Sequence, residues 1–222
     1  MLKKSYHNFN SSFMFKLLEK YRGRIYSKFI KHVNFNNKSK LIDIGTTNID
    51  LKHENYLIKK YPYKKFITCL SNQRLSLIKK KFPQIKTIIG DGRKTKFPNN
   101  TFDIVHSNAT IEHVGKFKNQ IKFVKEAFRI SKKYVFITTP NRYFPLDLHT
   151  AIPIIHWLPK KIHRIILRMI GHKFLSQEKN LNLLNLNDLK KICRIIQIKN
   201  YKIEFIKFFG LKSNLILIIN KN

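Results

Sequence analysis

The amino-acid sequence predicts an α/β domain: a doubly wound, seven-stranded, mostly parallel sheet that ends in an antiparallel hairpin, with helices on both faces. Two observations lead to this expectation. Between residues 41 and 139, short apolar runs alternate with helix-length segments, as in successive βαβ units. After residue 200, two apolar runs, YKIEFIKFF and NLILIIN, are joined by GLKS, which is typical of a hairpin added to a parallel sheet.

The chain length supports one such unit. A chain of 222 residues can bury one full α/β core, but it is too short for two independent cores. The hydrophobic fraction of 43% and the aromatic fraction of 13% are those of a folded protein and exclude a disordered chain. We therefore expect a single domain over residues 1–222.

The formal net charge is +33, from 45 Lys and Arg against 12 Asp and Glu. Such a charge is typical of proteins that bind nucleic acid or an anionic membrane. Here the lysines are spread from Lys3 to Lys221, and Lys outnumbers Arg, whereas phosphate recognition favours clustered Arg. The charge pattern therefore favours a general compositional bias, and nucleic acid is not the expected partner.

Cysteine usage and the N-terminus bear on the compartment. Cys69 and Cys193 lie far apart in apolar surroundings, which indicates buried thiols and no disulfide. The start MLKKSYHNFN lacks an apolar signal region, and no run of eighteen apolar residues occurs. The sequence predicts a cytoplasmic protein.

Helical spacing of apolar residues predicts an N-terminal helix over about 13–33 that covers the sheet edge or the cofactor. The apolar positions are Phe13, Leu17, Leu18, Tyr21, Ile25, Phe29 and Val33. The predicted strands begin at residues 41, 66, 85, 102 and 134. Helices are predicted at Glu54 to Tyr61, Gln73 to Lys81, Phe117 to Ile130 and 187–196.

The segment 140–175 interrupts this alternation. It holds four of the seven prolines and a basic, apolar helix from Ile162 to Phe174. Such a segment is typical of a lid-like insertion over a site. The basic helix is compatible with an anionic membrane surface over residues 160–174, at the inner face of the membrane, or with ordinary packing on the domain.

Ligands of open α/β sheets collect at the carboxyl ends of the parallel strands. The residues just after each predicted strand are therefore the candidates for a binding site. They are Gly45 to Asn48, Ser71 and Asn72, Asp91 to Arg93, Ser107 to His113, and Pro140 to Arg142.

Four motifs occur in a characteristic order along these strand ends. LIDIG at 41–45 comes first, then a strand that ends in Ser71 and Asn72, then GDG at 90–92 before KTKFPNNTFDIVHS, and last EHV at 112–114. The stretch FPNNTFDIVHSNATIEHV at 97–114 and the later TTPNRYFP at 138–145 add to this pattern. In this combination the sequence resembles the class I S-adenosylmethionine-dependent methyltransferases, and among them the small, stand-alone type 11-like domains. The resemblance implies a Rossmann-like sheet, S-adenosyl-L-methionine as cofactor, and methyl transfer to a small-molecule or lipid/glycan-precursor acceptor.

The resemblance also implies roles for the strand-end residues. Three groups would bind the amino acid part, the ribose and the adenine of the cofactor. They are Asp43 with the loop Gly45, Thr46 and Thr47; Ser71 and Asn72; and Asp91 with Gly92 and Arg93. Ser107 and Asn108 would lie beside the transferable methyl group.

Two departures from the family pattern affect the cofactor site. Thr47 and Ile49 stand where further glycines would fall, so the loop must take a different path. Ser71 and Asn72 stand where the family has an acid for the ribose hydroxyls. A neutral partner forms a hydrogen bond worth about 1 kcal/mol and a charged one about 2 kcal/mol, so we expect weakened but retained cofactor affinity.

Asn108, Glu112 and His113 are the candidate catalytic residues. His113 has a suitable pKa for a general base, although Glu112 and His113 could equally cap and orient their loop. In the insertion, Asn141, Arg142 and His149 are candidate substrate contacts, or else parts of a proline-stiffened packing segment.

No group of His, Cys and acidic residues has metal-ligand spacing, so the sequence predicts no metal. Two other functions remain open at this stage. One is a non-catalytic, cofactor-binding scaffold, because the glycine loop and the ribose acid are altered. The other is an RNA methyltransferase, because of the net charge of +33.

Overall fold

The computed structural model describes residues 12–221, with side chains described for 18–221. One sheet contains all seven strands, in the order β3-β2-β1-β4-β5-β7-β6. The strands are β1 (Leu41–Ile44), β2 (Ile67–Ser71), β3 (Lys86–Ile89), β4 (Phe102–Asn108), β5 (Ser131–Pro140), β6 (Tyr201–Phe208) and β7 (Leu211–Asn220). Only β7 runs antiparallel to its neighbours, β5 and β6. The predicted fold class is confirmed.

Helices cover both faces of the sheet. On one face lie α1 (Ser12–His32), α2 (Tyr56–Lys60) and α3 (Ser76–Lys81); on the other lie α4 (Phe117–Ile130) and α6 (Leu186–Ile195). Each helix contributes one apolar stripe to the core, which is the expected arrangement when the polar stripe faces water. The central strands β1 and β2 are buried along their whole length, as strands covered on both faces must be.

The N-terminal helix α1 packs across a face of the sheet and reaches the edge strand β6, where Lys28 Nζ lies 2.7 Å from Glu204 Oε2. This contact agrees with the expected cover of the sheet edge, and the expected cover of the cofactor stays a prediction. The ring of Phe29 lies edge-to-face on Phe136 and His106, with centroids 5.4 and 5.7 Å apart. The Tyr21 hydroxyl donates to Asn214 Oδ1 at 2.5 Å. These contacts place α1 over β4, β5 and β7. The side chains of Phe13 and Leu17 lie outside the described ones.

The C-terminal hairpin has a shorter connection than the sequence predicts. Phe209 and Gly210 alone join β6 to β7, and the remaining residues of GLKS begin β7. Both turn residues have positive φ, 47° and 78°. A two-residue turn of this kind has the right-handed twist of the strands it joins, so the ladder continues up to the turn.

Residues 141–185, between β5 and α6, form the insertion. It contains a 3-10 helix at Ile155–Trp157 and the helix α5 (Lys160–Met169). A small core of its own holds it together, made of Leu167, Leu175, Leu181 and Leu183. Because two of these leucines come after residue 175, the insertion is about ten residues longer than the sequence indicates. Within the described residues, no helix combines the length and the apolar character needed to cross a membrane.

Candidate active site

The loop after β1 is fixed by steric contact at Gly45. Its φ is +95°, and a Cβ at this position would lie 2.0 Å from Thr110 Oγ1. The backbone N–H of Gly45 donates to the carbonyl of Leu70 at 2.8 Å, which ties the loop to β2. Only glycine fits both the backbone conformation and the space. The glycine that the sequence singled out is therefore required by the fold.

Asp43 has its carboxylate fully engaged inside the protein. Thr46 Oγ1 donates to one of its oxygens at 2.6 Å, and Nδ1 of His106 lies 2.5 Å from the other. His106, from the neighbouring strand β4, is 4% exposed and was not identified from the sequence. An attraction between Asp43 and the ammonium of a cofactor stays a prediction, and it has to act alongside these two contacts.

The loop that follows Gly45 lacks the family's later glycines, and Asn55 supports it instead. The Asn55 side chain donates to the carbonyls of Thr47 and Ile49, at 2.8 and 3.0 Å. It also accepts a hydrogen bond from the Thr47 backbone N–H at 3.1 Å. Asn55 itself adopts a left-handed conformation, φ 50°, that asparagine tolerates well. This explains how a threonine-containing loop follows the different path that the sequence requires.

At the end of β2, Ser71 is 4% exposed and Asn72 is exposed. The Ser71 hydroxyl accepts a hydrogen bond from the Gln73 backbone N–H, at 3.4 Å. No acid lies at this strand end, as the sequence shows. The ribose contact predicted for Ser71 and Asn72 stays a prediction.

After β3, Asp91 is paired with Arg93. The Arg93 guanidinium donates to both Asp91 carboxylate oxygens, and the closest of these contacts is 2.7 Å. This hydrogen bonding lowers the pKa of Asp91. Between them, a Cβ on Gly92 would lie 2.6 Å from Ile44 Cγ2 and 2.8 Å from the Phe123 ring. The GDG turn thus packs tightly against β1 and α4, and an ionised carboxylate lies at its tip.

The two candidates at the end of β4 differ in orientation. Ser107 is fully buried, and its hydroxyl donates to the carbonyl of Ile44 at 2.8 Å, so it links β4 to β1. Its side chain therefore supports the sheet. Asn108 is partly exposed, and its Oδ1 accepts from Thr138 Oγ1 at 2.5 Å. Of the two, only Asn108 remains a candidate to contact a substrate.

A cluster of three potential ligands lies beyond Asn108. Glu112 and His113 occupy the 3-10 turn Ile111–His113, and His149 comes from the insertion. His113 Nε2 lies 3.2 Å from His149 Nε2, and Glu112 Oε1 lies 3.7 Å from the same His149 atom. We call these three residues the Glu112–His113–His149 cluster. The sequence predicts no metal because no group of His, Cys and acidic residues has metal-ligand spacing along the chain. That spacing does not reveal His149, which lies 36 positions after His113 and joins the group only in the fold.

Hydrogen bonds on the outer side of the cluster orient its side chains. His113 Nδ1 donates to the Asn180 carbonyl at 2.6 Å, and His149 Nδ1 lies 3.2 Å from Asp147 Oδ1. Burial and the neighbouring His149 lower the pKa of His113. Burial opposes ionisation of His149 as well, but Asp147 and Glu112 outweigh it and raise the pKa of His149.

The side chains of Arg142 and Asn141, both predicted substrate contacts, form hydrogen bonds to backbone carbonyls. The Arg142 guanidinium donates to the carbonyls of His156 and Leu158, at 3.0 and 2.7 Å. The Asn141 amide donates to the carbonyl of Lys212, at 2.8 Å. Both side chains are thus engaged by backbone carbonyls, and their contact with a substrate stays a prediction, while His149 belongs to the cluster.

Several residues of the site were missed by sequence reasoning. They are Asn55, His106, Thr139 and Asp147. Only Asp147 had a local signal, because it precedes His149 by two residues. Asn55 bonds to a loop only six to eight residues before it, but through side-chain contacts that no sequence pattern signals. His106 and Thr139 act through partners 63 and 27 positions away, and a single sequence carries no record of such pairs.

The comparisons with known proteins agree with this geometry. A family model described as a methyltransferase domain matches residues 52–137. No curated protein sequence matches the chain. The same fold occurs in a SAM-dependent methyltransferase of Methanosarcina mazei, with a TM-score of 0.56, 12% identity, and coverage of 84% of this chain and 94% of that one.

Two further structures share the fold. A SAM-dependent methyltransferase from Archaeoglobus fulgidus has a TM-score of 0.58 and 14% identity, with 95% of this chain and 100% of that one covered. Phosphoethanolamine N-methyltransferase 2 of Haemonchus contortus, solved with S-adenosyl-L-methionine, has a TM-score of 0.61 and 12% identity, covering 90% of this chain and 52% of that one. At these identities the likeness is one of fold.

The strand order, the Gly45 turn and the GDG turn define a Rossmann-like methyltransferase domain. The methyltransferase-domain model matches residues 52–137 of the 222, and this match agrees with the resemblance to the class I S-adenosylmethionine-dependent methyltransferases. The resemblance found in the sequence is confirmed.

Proposed function

We propose that this chain transfers the methyl group of S-adenosylmethionine to a lipid-linked or other small-molecule acceptor that lies between Asn108 and the insertion. One observation carries the proposal: several candidate residues lie together at the carboxyl ends of the parallel strands. They are the Gly45 turn, Asp91, Asn108 and the insertion residue His149. Methyl transfer from a sulfonium is an in-line displacement, so a rigid site that positions two reactants supplies much of the rate.

The cofactor half of this proposal rests on Asp91. Its carboxylate is ionised and lies at the tip of the GDG turn, where it can accept a hydrogen bond from the adenine amino group. Arg93 must then share this carboxylate with the nucleobase. Charge-assisted hydrogen bonds of this kind are worth about 2 kcal/mol, which corresponds to roughly 30-fold in affinity.

Calorimetry with S-adenosylmethionine and S-adenosylhomocysteine tests this half. We expect saturable binding to the wild type and a loss of at least tenfold in Asp91→Ala. Asp103→Ala is the matched control, because Asp103 lies at the opposite end of β4 and accepts from the Lys40 backbone N–H. If the wild type bound neither compound, or if both variants lost affinity equally, the proposed cofactor site would be wrong.

The acceptor half rests on the exposed apolar surface of the insertion. The exposed fractions of Ile165 and Met169 are 59% and 80%, so packing on the domain accounts for Leu167 but not for these two. Further exposed apolar residues in the insertion are Ile154, Trp157, Leu158, Ile162, Ile170 and Phe174. Exposed cations accompany them at Lys161, Arg168 and Lys173.

An apolar helix face beside several cations is complementary to an anionic lipid surface. We therefore place the insertion on such a surface, where a lipid-linked acceptor would reach the site directly. The Haemonchus neighbour methylates phosphoethanolamine, as its name states, which is also a headgroup-type acceptor.

Co-sedimentation with phosphatidylglycerol-containing and with phosphatidylcholine-only vesicles tests the membrane contact. We expect binding only to the anionic vesicles, and a loss of that binding in Ile165→Ser/Met169→Ser. Leu77→Ser/Ile89→Ser is the control, since both residues are comparably exposed outside the insertion, at 48% and 65%. Binding that ignored lipid charge, or that both double variants lost alike, would contradict the membrane contact.

A further inference from the structure

Three Lewis bases point at one another in the Glu112–His113–His149 cluster. The carbonyl of Asn180 can only accept, so the hydrogen bond from His113 Nδ1 leaves a lone pair on His113 Nε2. The Asp147 carboxylate does the same for His149, because it accepts from His149 Nδ1. Glu112 Oε1 is fully buried and has no hydrogen-bond partner. Such an arrangement favours a positive charge at its centre.

A shared proton or a metal ion would supply that positive charge. A proton on one imidazole would join the two Nε2 atoms, which lie 3.2 Å apart, but it would leave Glu112 Oε1 without a partner at 3.7 Å from His149 Nε2. A metal ion is attracted to all three ligand atoms, which lie within 4.8 Å of one another. With metal–nitrogen distances of about 2.05 Å, the observed separation gives a nitrogen–metal–nitrogen angle of roughly 100°, close to tetrahedral.

The surroundings of the cluster are those of a preorganised metal site. Histidine ligands usually donate their second ring N–H to a carboxylate or a backbone carbonyl, and both histidines do so here. The second oxygen of Glu112 accepts from Thr139 Oγ1 at 2.9 Å. Asp147 is held in turn by the Thr150 hydroxyl, at 2.7 Å. The turn that carries Glu112 is anchored to the insertion, since the Asn182 N–H donates to the Glu112 carbonyl at 2.7 Å.

We propose that Glu112, His113 and His149 form a binding site for one divalent transition-metal ion, of the Zn²⁺ or Mn²⁺ class, with a coordination position open toward the acceptor. Two imidazoles and one carboxylate are ligands that such ions prefer, and three protein ligands are typical of catalytic sites. The sequence's choice of His113 as general base changes accordingly, because a coordinated Nε2 cannot accept a proton.

The location gives the ion a task in methyl transfer, and this part rests on the proposed function. Thr110, whose side chain packs against Gly45, is only two residues before Glu112. An acceptor hydroxyl bound to the ion would lose its proton to solvent water, because a bound cation lowers the pKa of its oxygen ligand. The oxygen would then form its bond to the methyl carbon as the carbon–sulfur bond breaks, and the electron pair would stay on the sulfur of S-adenosylhomocysteine.

The acceptor class follows from this chemistry. Hard or borderline divalent ions bind alcohol, phenol and diol oxygens, so the site fits O-methylation of a hydroxylated acceptor. An amine acceptor needs no such activation in its neutral form. The metal site thus narrows the acceptor to oxygen nucleophiles.

Metal binding is tested directly, without a substrate. The chelator-treated full chain would be dialysed against Zn²⁺ or Mn²⁺, and bound metal measured by mass spectrometry. We expect one ion per chain in the wild type. We expect losses of more than 100-fold in affinity in His113→Asn and His149→Asn. Asparagine is the sharpest replacement, because its side-chain amide can keep the hydrogen bond to Asn180 or Asp147 while removing the ligand atom.

Controls separate coordination from folding. His172→Asn removes a histidine outside the cluster and should bind like the wild type. Asp147→Asn keeps all three ligands but weakens their orientation, so its affinity should fall by only about 10- to 100-fold. A Co²⁺-loaded sample should show visible d–d absorption in the wild type that His149→Asn lacks, while circular dichroism of all variants stays native.

The outcomes distinguish this site from the proposed function. If the folded wild type bound none of the three ions, or if the asparagine variants bound as well as the wild type, the metal site would be wrong, and nitrogen-15 spectra should then show a proton shared by the two imidazoles. S-adenosylmethionine binding is measured separately by calorimetry. Metal binding without cofactor binding would overturn the proposed function alone.

Discussion

The loops at the carboxyl ends of β1, β2 and β3, which we call the cofactor edge, and the insertion use similar residue types but are held in place by different contacts. At the carboxyl ends of the strands, glycines lie where neighbouring side chains leave no room: Thr110 from the loop after β4 at Gly45, and Ile44 from β1 and Phe123 from α4 at Gly92. In the insertion, Gly171 has a similar positive φ, but nothing lies within 4 Å of the position of its Cβ. The first region is fixed by contacts with the central core. The second is held by a four-leucine core and exposes apolar surface, which is compatible with a region that determines the acceptor.

The largest expected effect is a difference in stability loss between substitutions at the crowded Gly45 and at the uncrowded Gly171. Gly45→Ala combines an unfavourable positive φ with a contact of 2.0 Å to Thr110, so the free energy of unfolding should fall by roughly 3 kcal/mol and cofactor binding should be lost. Gly171→Ala has a φ of +89°, close to the +95° of Gly45, and should lose only about 1 kcal/mol. Denaturant unfolding and calorimetry measure both. Equal losses would show that backbone strain alone fixes the cofactor loop.

The next effect tests whether the insertion is energetically separate from the sheet. Leu167→Ala removes a fully buried side chain from the small core and should lower stability by roughly 3 kcal/mol. Cofactor affinity should stay within about threefold of the wild-type value, because the residues proposed to bind the cofactor lie at the strand ends of the sheet. Ile165→Ala, 59% exposed on the same helix, should change stability by less than about 0.5 kcal/mol. Loss of cofactor affinity in Leu167→Ala would show that the two regions fold as one unit.

A smaller gain should come from restoring charge at the cofactor edge. Ser71→Asp places a carboxylate at the end of β2, where a ribose hydroxyl can donate to it. The charged hydrogen bond should strengthen S-adenosylmethionine binding by about 1 kcal/mol, or roughly fivefold. Ser71→Asn is the uncharged control and should leave the affinity near the wild-type value. If the aspartate weakened binding instead, the ribose would lie elsewhere.

The smallest effect concerns the ion pairs between α1 and β6, away from both regions. Here Lys28 and His32 of α1 contact Glu204 of β6, at 2.7 and 2.9 Å. Burial opposes ionisation of Glu204, but the ammonium groups of Lys202 and Lys28 outweigh it and lower the pKa of Glu204 to about 2. Because the folded pKa is below the unfolded value of about 4.3, ionised Glu204 stabilises the folded state above pH 4.3. That contribution is lost as the pH falls toward 2.

Glu204→Gln should therefore be less stable than the wild type at pH 6, and the difference should shrink as the pH falls below 4. Thermal unfolding at several pH values measures this convergence. Glu178→Gln is the control, because Glu178 pairs with Arg164 inside the insertion. A stability difference that stayed constant with pH would mean that the Glu204 carboxylate contributes only by its shape.

The order of strands and helices could be predicted because each element carries a local pattern. Phe117–Ile130 is helical over the predicted range, since its apolar residues recur at helical spacing. The hairpin turn was misplaced, because Phe209 adopts a positive φ that its residue type does not signal. Similarly, Ser107 was expected at the cofactor but is buried, because strand register decides which face a side chain takes.

The sequence by itself determined the fold class, the cofactor family and the identity of the strand-end residues, because these depend on periodicity and on motifs that are contiguous in the chain. The tertiary structure decided which of those residues meet. Glu112 and His113 are neighbours in the chain, but His149 joins them only through the path of the insertion. Asp43 and His106 are likewise 63 residues apart and 2.5 Å apart in space. Contacts of this kind depend on how elements pack, and no local pattern encodes that packing.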